Sequence, residues 1–398
     1  MTNHSMQSYV PVPQEFADIA PYDDSQFHEK MQWLLKQPDF DRALRYVMSE
    51  SEYEQLKAAL LTVDNQSDFQ THIMGRFLEM LVKRTSAGLS CDGTENIDSD
   101  KNYTFITNHR DIVLDASFLN LNFIRNNLPV TQVAIGNNLL IYDWITDLVK
   151  LNRSFIVKRD NSVRNALAAA RQLSGYIHYV INQRHESVWI AQREGRAKDS
   201  NDITQESLIK MMALEPSKST KENLLSVNLT PVSISYEYDP NDYLKAREFL
   251  LRRRDPDFKK SQHDDLFSME TGILKYKGRI HMHIGKCLNP LIADIDGDNR
   301  LDVVRHTCTL IDRSIHCGYM IFPCNYIAFD EAEHTSRFAN HYTADDVEQF
   351  STYINRQLDR VDIPDVTPDE REFMRSMMLD MYANPLRNQL LALDSCRE

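Results

Sequence analysis

The segment TFITNHRDIVLDASFLN, residues 104–120, carries the strongest signal in this chain. It begins with a short apolar run that is typical of a buried strand, and a helical pattern follows. His109 and Asp111 lie between the two, and Asp115 falls in the first turns of the predicted helix. A histidine at a strand tip with a carboxylate beside it can deprotonate a hydroxyl, because imidazole titrates near neutral pH and the carboxylate fixes its tautomer. The segment therefore predicts a general base between a strand and a helix.

On either side of this segment, short β-rich runs alternate with helical patterns. The predicted strands are YTFIT (103–107), TQVAIG (131–136), SFIVK (154–158), SVWIAQ (187–192) and TPVSISYEY (230–238), followed by a strand pair in 274–288 that turns at Lys277 and Gly278. Strands separated by helices require crossover connections, which favour a parallel sheet. We therefore predict an α/β fold with a central, mostly parallel sheet flanked by helices.

Helical patterns dominate both ends of the chain. Apolar residues recur every four positions in 69–81, and TPDE (367–370) has the capping-box pattern of a helix start. The polar stretch 86–102 is predicted to be a loop. We therefore predict a helical N-terminal domain (1–100), an α/β domain (101–290) and a mainly helical C-terminal extension (291–398).

The composition indicates the class of protein. Hydrophobic residues make up 42% and charged residues 26% of the 398 residues, as in an ordinary globular protein. The six cysteines form no CxxC pair, and we find neither a secretory leader nor an apolar run of about 18 residues. The formal charge of −13 argues against nucleic acid as a partner. We expect a cytoplasmic protein.

A basic run, Arg252–Arg254 with Lys259 and Lys260, interrupts this acidic chain. Such runs attract anionic lipid headgroups, so we expect peripheral contact with the inner face of the cell membrane. A solvated helix face is the alternative interpretation of the same residues.

Motifs of several other functional classes are absent or incomplete. The chain has no G-x-S-x-G, P-loop or G-x-G-x-x-G sequence. The segment 294–302 is similar to a calcium loop, but its glycine is misplaced and Arg305 stands where a glutamate is required. His281 and His283 alternate on a predicted strand near Cys287, and we interpret them as strand histidines rather than zinc ligands. We therefore predict no metal site.

Cationic residues follow two predicted strands. Arg159 ends one of them, and Arg193, Arg196 and Lys198 follow another, with Gly195 among them. Guanidinium groups bind phosphate through paired donors, and glycine lets the backbone approach a ligand closely. Because reactive residues of parallel sheets gather at the carboxyl ends of strands, these cations and His109 are expected to share one site for a phosphorylated substrate.

Four blocks occur in a characteristic order: NHRDIVLD (108–115), FIVKR (155–159), REGRAKD (193–199) and TPVSISYE (230–237). This order resembles that of the glycerolipid acyltransferases, most closely the bacterial glycerol-3-phosphate acyltransferases and their dihydroxyacetone-phosphate relatives. The resemblance covers residues 100–290. It implies transfer of a fatty acyl group from a thioester, either acyl-CoA or acyl carrier protein, to the hydroxyl of glycerol-3-phosphate in phospholipid biosynthesis.

The resemblance also implies roles for individual residues. His109 would be the general base, with Asp115 as the expected supporting carboxylate and Asp111 as the alternative. No cofactor or metal is implied, since the acceptor attacks the thioester directly. The remaining site residues would bind the acceptor phosphate or shape its pocket: Arg159 and Arg196, with Arg110 assisting, and Glu194 with Gly195.

Two alternatives stay open. The acceptor could instead be lysophosphatidate, dihydroxyacetone phosphate or an amino-lipid. The chain could also be a non-catalytic lipid-binding module, although intact His109, Arg159 and Arg196 argue against a decayed site.

Overall fold

A computed structural model describes residues 11–159 and 163–395. The strands in these ranges form one sheet. They are β1 (Gly88–Asp92), β2 (Thr104–Thr107), β3 (Gln132–Gly136), β4 (Ser154–Val157), β5 (Val188–Ala191), β6 (Leu229–Tyr236) and β7 (Arg279–Ile284). The sheet order is β1-β7-β6-β2-β5-β3-β4, and every neighbouring pair is parallel except β6 and β7. The prediction of a mostly parallel sheet is confirmed.

Helices connect and cover the strands. In chain order they are α1 (Asp24–Leu34), α2 (Pro38–Val47), α3 (Glu50–Leu60), α4 (Gln66–Asp68), α5 (Gly75–Thr85), α6 (Leu114–Arg125), α7 (Asp143–Leu151), α8 (Val163–Asn182), α9 (Glu206–Met212), α10 (Thr220–Leu225), α11 (Asp242–Arg254), α12 (Gln262–Leu274), α13 (Asn289–Ala293), α14 (Arg300–Cys317), α15 (Pro323–Ala332), α16 (Ala344–Leu358) and α17 (Pro368–Asp394). A π-helical segment, Phe69–Met74, joins α4 to α5. The capping box predicted at the start of α17 is confirmed.

The sheet has a hydrophobic core on each face. Phe105 and Ile106 are neighbours in β2, yet they belong to different cores, because successive strand side chains point to opposite faces. The Phe105 core includes Phe118 of α6, and the Ile106 core includes Ile177 of α8 and Ile311 of α14. Helices therefore flank both faces, which confirms the predicted α/β architecture.

Two local predictions are wrong. The stretch 86–102 is not simply a loop, since it contains β1, an edge strand that pairs with β7 far along the chain. The segment 274–288 does not form a strand pair, because α12 extends to Leu274 and only β7 follows. Gly278 adopts a left-handed conformation with φ of 64°, and this turn leads from the helix into β7 rather than between two strands.

The boundaries of the three predicted domains stay a prediction, and residues 1–10 and 396–398 lie outside the described ranges. β1, which lies within residues 1–100, belongs to the same sheet as the strands of 101–290. In the described part of the chain, no helix is both long and apolar enough to cross a membrane.

Candidate active site

The tip of β2 is held in a fixed position by its neighbour in the sheet. Asn108 follows β2 directly, and its side chain is fully buried. The amide nitrogen of Asn108 donates to the Ile234 carbonyl at 2.9 Å, while its oxygen accepts the Ile234 N–H at 2.8 Å. Because two hydrogen bonds to the Ile234 backbone of β6 hold Asn108, the next residue, His109, leaves the sheet in a defined direction.

His109 and Asp115 form a hydrogen-bonded pair at this tip. The His109 Nδ1 lies 2.8 Å from Asp115 Oδ2, with the histidine side chain 12% exposed and the carboxylate fully buried. The same Oδ2 accepts the backbone N–H groups of Arg110 at 2.7 Å and Asp111 at 3.0 Å, and the Tyr236 hydroxyl is 3.3 Å from Oδ1. An ionised carboxylate only accepts hydrogen bonds, so Nδ1 donates and Nε2 is left to accept a proton.

Asp111 does not contact the imidazole. Its Oδ1 accepts the N–H groups of Val113 at 2.9 Å and Leu114 at 2.8 Å, so it caps the beginning of α6. Its Oδ2 has no hydrogen-bond partner among the described residues and faces Gly272 of α12. Burial, followed by the nearby charge of Asp115, raises the pKa of Asp111 above its usual value. The geometry thus pairs His109 with Asp115 and gives Asp111 a capping position.

His109 opens onto a cavity of about 1510 Å³ at the carboxyl ends of β2, β5, β3 and β4. One part of its wall is apolar and comes from α6, α7, α8, β3 and the segments just before α6 and α7. The side chains there include Ile112, Ala116, Val133, Ile135, Leu140, Trp144, Leu148, Ala170 and Leu173. This part of the wall offers no charge and suits an alkyl chain.

Four of the predicted substrate-binding residues line the same cavity: Arg159, Glu194, Gly195 and Arg196. Arg159 Nη1 lies 3.1 Å from Glu194 Oε1, which links the end of β4 to the segment after β5. Gly195 adopts a φ of 70°, a conformation that favours glycine, and its missing side chain leaves open space. The structure therefore brings these four residues together with His109 in one cavity, as the strand-end argument predicts.

Arg110 lies elsewhere. Its guanidinium is 5% exposed and forms two contacts with Asp202, at 3.0 Å and 2.6 Å, and it does not line the cavity. The Tyr319 hydroxyl also donates to Asp202, at 2.6 Å, and Thr204 donates its N–H to Asp312 of α14 at 2.8 Å. Since its donors are engaged inside the protein, Arg110 ties the His109 segment to the C-terminal helices and we do not assign it to the acceptor.

Lys198, which the strand-end reasoning predicts at the site, lines the cavity, and so do Lys245, Arg252 and Lys260, which were not predicted there. Lys198 belongs to the REGRAKD block, but Arg252 and Lys260 belong to the basic run in which we expect a membrane contact. Burial, followed by the charges of Lys260 and Arg252, lowers the pKa of Lys198 to about 7. For Lys245, Arg252 and Lys260 the only signal in the sequence is clustered charge, which does not reveal that these side chains line the cavity.

The basic run does not form one continuous surface. Arg254 makes a two-pronged pair with Glu370, at 2.7 Å for each contact, and Arg253 stacks over the ring of Phe373 at 4.5 Å. Lys259 is exposed. Peripheral membrane contact stays a prediction that now depends on fewer free charges.

The two strand histidines of β7 have carboxylate or hydroxyl neighbours. His283 Nδ1 lies 2.6 Å from Asp92 Oδ1, and His281 Nδ1 lies 2.9 Å from Ser90 Oγ. Within the described ranges, no cluster of three or more histidine, cysteine, aspartate or glutamate side chains is arranged to hold a metal ion.

Comparisons with known proteins add little to this geometry. No protein-family model matches the chain, and no curated protein matches it either. Among solved structures, this chain is similar to the 1-acyl-sn-glycerophosphate (LPA) acyltransferase PlsC from Thermotoga maritima. The similarity covers 72% of this chain and 93% of the PlsC chain, with 10% sequence identity and a TM-score of 0.35. A similarity this weak does not establish a family for this chain.

Proposed function

We propose that the protein is an acyltransferase that moves a fatty acyl group from a thioester to the hydroxyl of glycerol-3-phosphate. One observation carries this proposal. The His109–Asp115 pair opens onto a cavity that is lined by both apolar and cationic side chains. A general base, a place for an alkyl chain and a place for a phosphate are the three elements that this reaction needs.

In the proposed reaction, His109 Nε2 removes the proton of the acceptor hydroxyl. The resulting oxygen nucleophile attacks the thioester carbonyl, an ester bond forms, and the carbon–sulfur bond breaks. The thiolate leaves and takes the proton back from the imidazolium. Asp115 is fully buried and fixed by two backbone N–H groups, so it holds the imidazole in one tautomer and stabilises its transient positive charge.

Arg159 and Arg196 are proposed to hold the acceptor phosphate. Both side chains line the cavity that contains His109, and the Arg159–Glu194 pair places a guanidinium at the end of β4. Glu194 and Gly195 would shape this part of the pocket, where the open space at Gly195 gives room for a ligand. The fatty acyl group would occupy the apolar wall described above.

The test is an acyl-transfer assay on the purified chain, with acyl-CoA and acyl carrier protein as donors and glycerol-3-phosphate, dihydroxyacetone phosphate and lysophosphatidate as acceptors. We expect the highest kcat/KM with glycerol-3-phosphate. His109→Ala should lower kcat by about two to four orders of magnitude, the usual contribution of a general base, while the folded state is retained.

His281→Ala is a matched control, because that histidine lies on β7 and does not line the cavity. Turnover of the folded His109→Ala variant near that of the unmodified protein would refute the proposal. Binding of lipid without turnover of any acceptor would instead indicate a non-catalytic lipid-binding module.

A further inference from the structure

One wall of the cavity carries a group of cations that is separate from Arg159. We call it the α11 wall. It consists of Lys198 after β5, Lys245 and Arg252 of α11, and Lys260 just before α12. The segment after β5 and the stretch from α11 to Lys260 therefore bring like charges to one surface. Clustering like charges costs free energy unless carboxylates or a bound anion compensate for it.

The carboxylates of the α11 wall only partly compensate these charges. Glu248 is 5% exposed and accepts from both Lys198 and Arg252, the latter at 2.9 Å, so one carboxylate serves two cations. Lys260 pairs with Asp265 at 2.9 Å, and the buried Lys245 pairs with Asp239 at 2.5 Å, so three carboxylates serve the four cations of the wall. The lowered pKa of Lys198 reports the same surplus, since the charges of Lys260 and Arg252 contribute to it after burial.

The cations at the ends of the strands differ in this respect. Arg159 has Glu194 as a partner, and Lys158 has Asp18. Each of these two cations has a carboxylate of its own. In the α11 wall, Lys198 and Arg252 share Glu248, so the wall has one carboxylate fewer than it has cations, and an anionic ligand group would compensate for this surplus.

The exposure of the wall indicates which ligand group fits. Lys245 is 4% exposed, Lys260 23% and Arg252 56%, so the wall leads from the interior to the cavity mouth. The acceptor is small, and its phosphate must stay close to the hydroxyl that reacts at His109. The thioester donors have a long phosphopantetheine arm with its phosphate at the end remote from the sulfur. A phosphate at the mouth therefore matches the donor better than the acceptor.

We propose that Lys198, Arg252 and Lys260 bind the phosphate of the phosphopantetheine arm that acyl-CoA and acyl carrier protein share. This inference rests on the proposed acyl transfer and adds a second anion subsite to it. The acceptor phosphate binds to Arg159 and Arg196, and the donor phosphate binds to the α11 wall. The apolar part of the cavity wall takes the acyl chain.

The binding experiment is a calorimetric titration of the full chain with 4′-phosphopantetheine, pantetheine and glycerol-3-phosphate. We expect 4′-phosphopantetheine to bind about tenfold or more tightly than pantetheine, as charge-assisted contacts to a phosphate provide. Lys260→Ala and Arg252→Ala should each remove most of this difference and leave the Kd of glycerol-3-phosphate unchanged. Lys259→Ala and Arg253→Ala are matched controls, because these exposed neighbours do not line the cavity.

Kinetic measurements with both donors then test whether the α11 wall recognises the phosphate that they share. If the wall recognises the shared phosphate, Lys260→Ala should raise the KM of acyl-CoA and of acyl carrier protein alike. An effect on acyl-CoA alone would overturn the proposal, since the wall would then recognise the nucleotide part of that donor. Equal binding of pantetheine and 4′-phosphopantetheine by the unmodified protein would overturn it as well, and so would a selective loss of glycerol-3-phosphate binding.

Failure of the proposed function would look different from failure of this subsite. Binding of 4′-phosphopantetheine that depends on Lys260, in a protein that acylates none of the acceptors, would refute the reaction and support the subsite. Acyl transfer that is unaffected by Lys260→Ala and Arg252→Ala would refute the subsite and support the reaction.

Discussion

Replacing Asp115 by asparagine tests how the buried carboxylate serves His109. An asparagine side chain fits the same space, and its oxygen can accept the N–H groups of Arg110 and Asp111 that Asp115 Oδ2 accepts now. Its nitrogen would face the Tyr236 hydroxyl, which can accept a hydrogen bond as well as donate one. The substitution therefore removes the negative charge and retains most of the local hydrogen bonds, so the fold should be preserved.

The loss of activity expected for Asp115→Asn follows from the distance between His109 and Asp115. Two unit charges 2.8 Å apart attract each other with about 6 kcal/mol at an effective dielectric constant of about 20. In the ground state His109 is neutral, and this attraction acts only as the imidazolium develops. With about half of that charge present in the transition state, the loss is about 3 kcal/mol, which lowers kcat roughly a hundredfold. The KM of the acceptor should change little.

The assay is steady-state kinetics of acyl transfer at neutral pH, with thermal unfolding measured in parallel. Asp111→Asn is the matched control, because Asp111 caps α6 and does not touch His109. Its kcat should stay within a few-fold of the unmodified value. A folded Asp115→Asn protein with an unchanged kcat, or a larger loss in Asp111→Asn, would refute the assignment of Asp115 as the partner of His109.

Gly272→Ala would place a methyl group 1.9 Å from Asp111 Oδ2, so the free energy of unfolding should fall by about 1–3 kcal/mol. An unchanged Tm in thermal unfolding would contradict this close packing. Burial raises the pKa of Asp242 to about 7, so its contribution to stability is full below the unfolded pKa of 3.8 and is lost as the pH rises through 7. In Asp242→Asn, the Tm should therefore decrease less with rising pH than in the unmodified protein. Anionic vesicles should bind the protein less after Arg253→Ala with Lys259→Ala; binding unaffected by this change and by salt would exclude the electrostatic route.

Local patterns in the sequence identified most of the sheet and the edge at which the site lies. Five predicted strand runs overlap β2 to β6, because alternation and apolar runs are properties of a few neighbouring residues. The position of His109 and Arg159 after strands then placed them at one edge, since parallel strands end together. The sequence patterns did not predict β1. GLSCD is a short, half-polar edge segment that forms a strand only because β7 pairs with it.

Long-range pairing explains what the sequence could not show about the site. Arg110 follows His109 directly in the chain, but it forms an ion pair with Asp202. No local pattern in the sequence links Arg110 to Asp202. Likewise, Lys198, Lys245 and Lys260 meet in the cavity wall only after three segments have packed together. Residue types and spacing predicted which elements carry the chemistry. The direction of each charged side chain depends on tertiary contacts.

The link between Asp202 and the C-terminal helices has a consequence for synthesis on the ribosome. Asp202 and Thr204 are held by Tyr319 and Asp312, residues that emerge from the exit tunnel long after the strands around His109. A nascent chain that ends before α14 lacks two of the groups that fix the segment after β5. The strands can pair in that chain, and the segment can still contact Arg110, Arg159 and Glu248, but its contacts to Asp312 and Tyr319 are missing. The arrangement of the cavity that is proposed for acyl transfer is therefore completed late in translation, after Asp312 and Tyr319 have been synthesised.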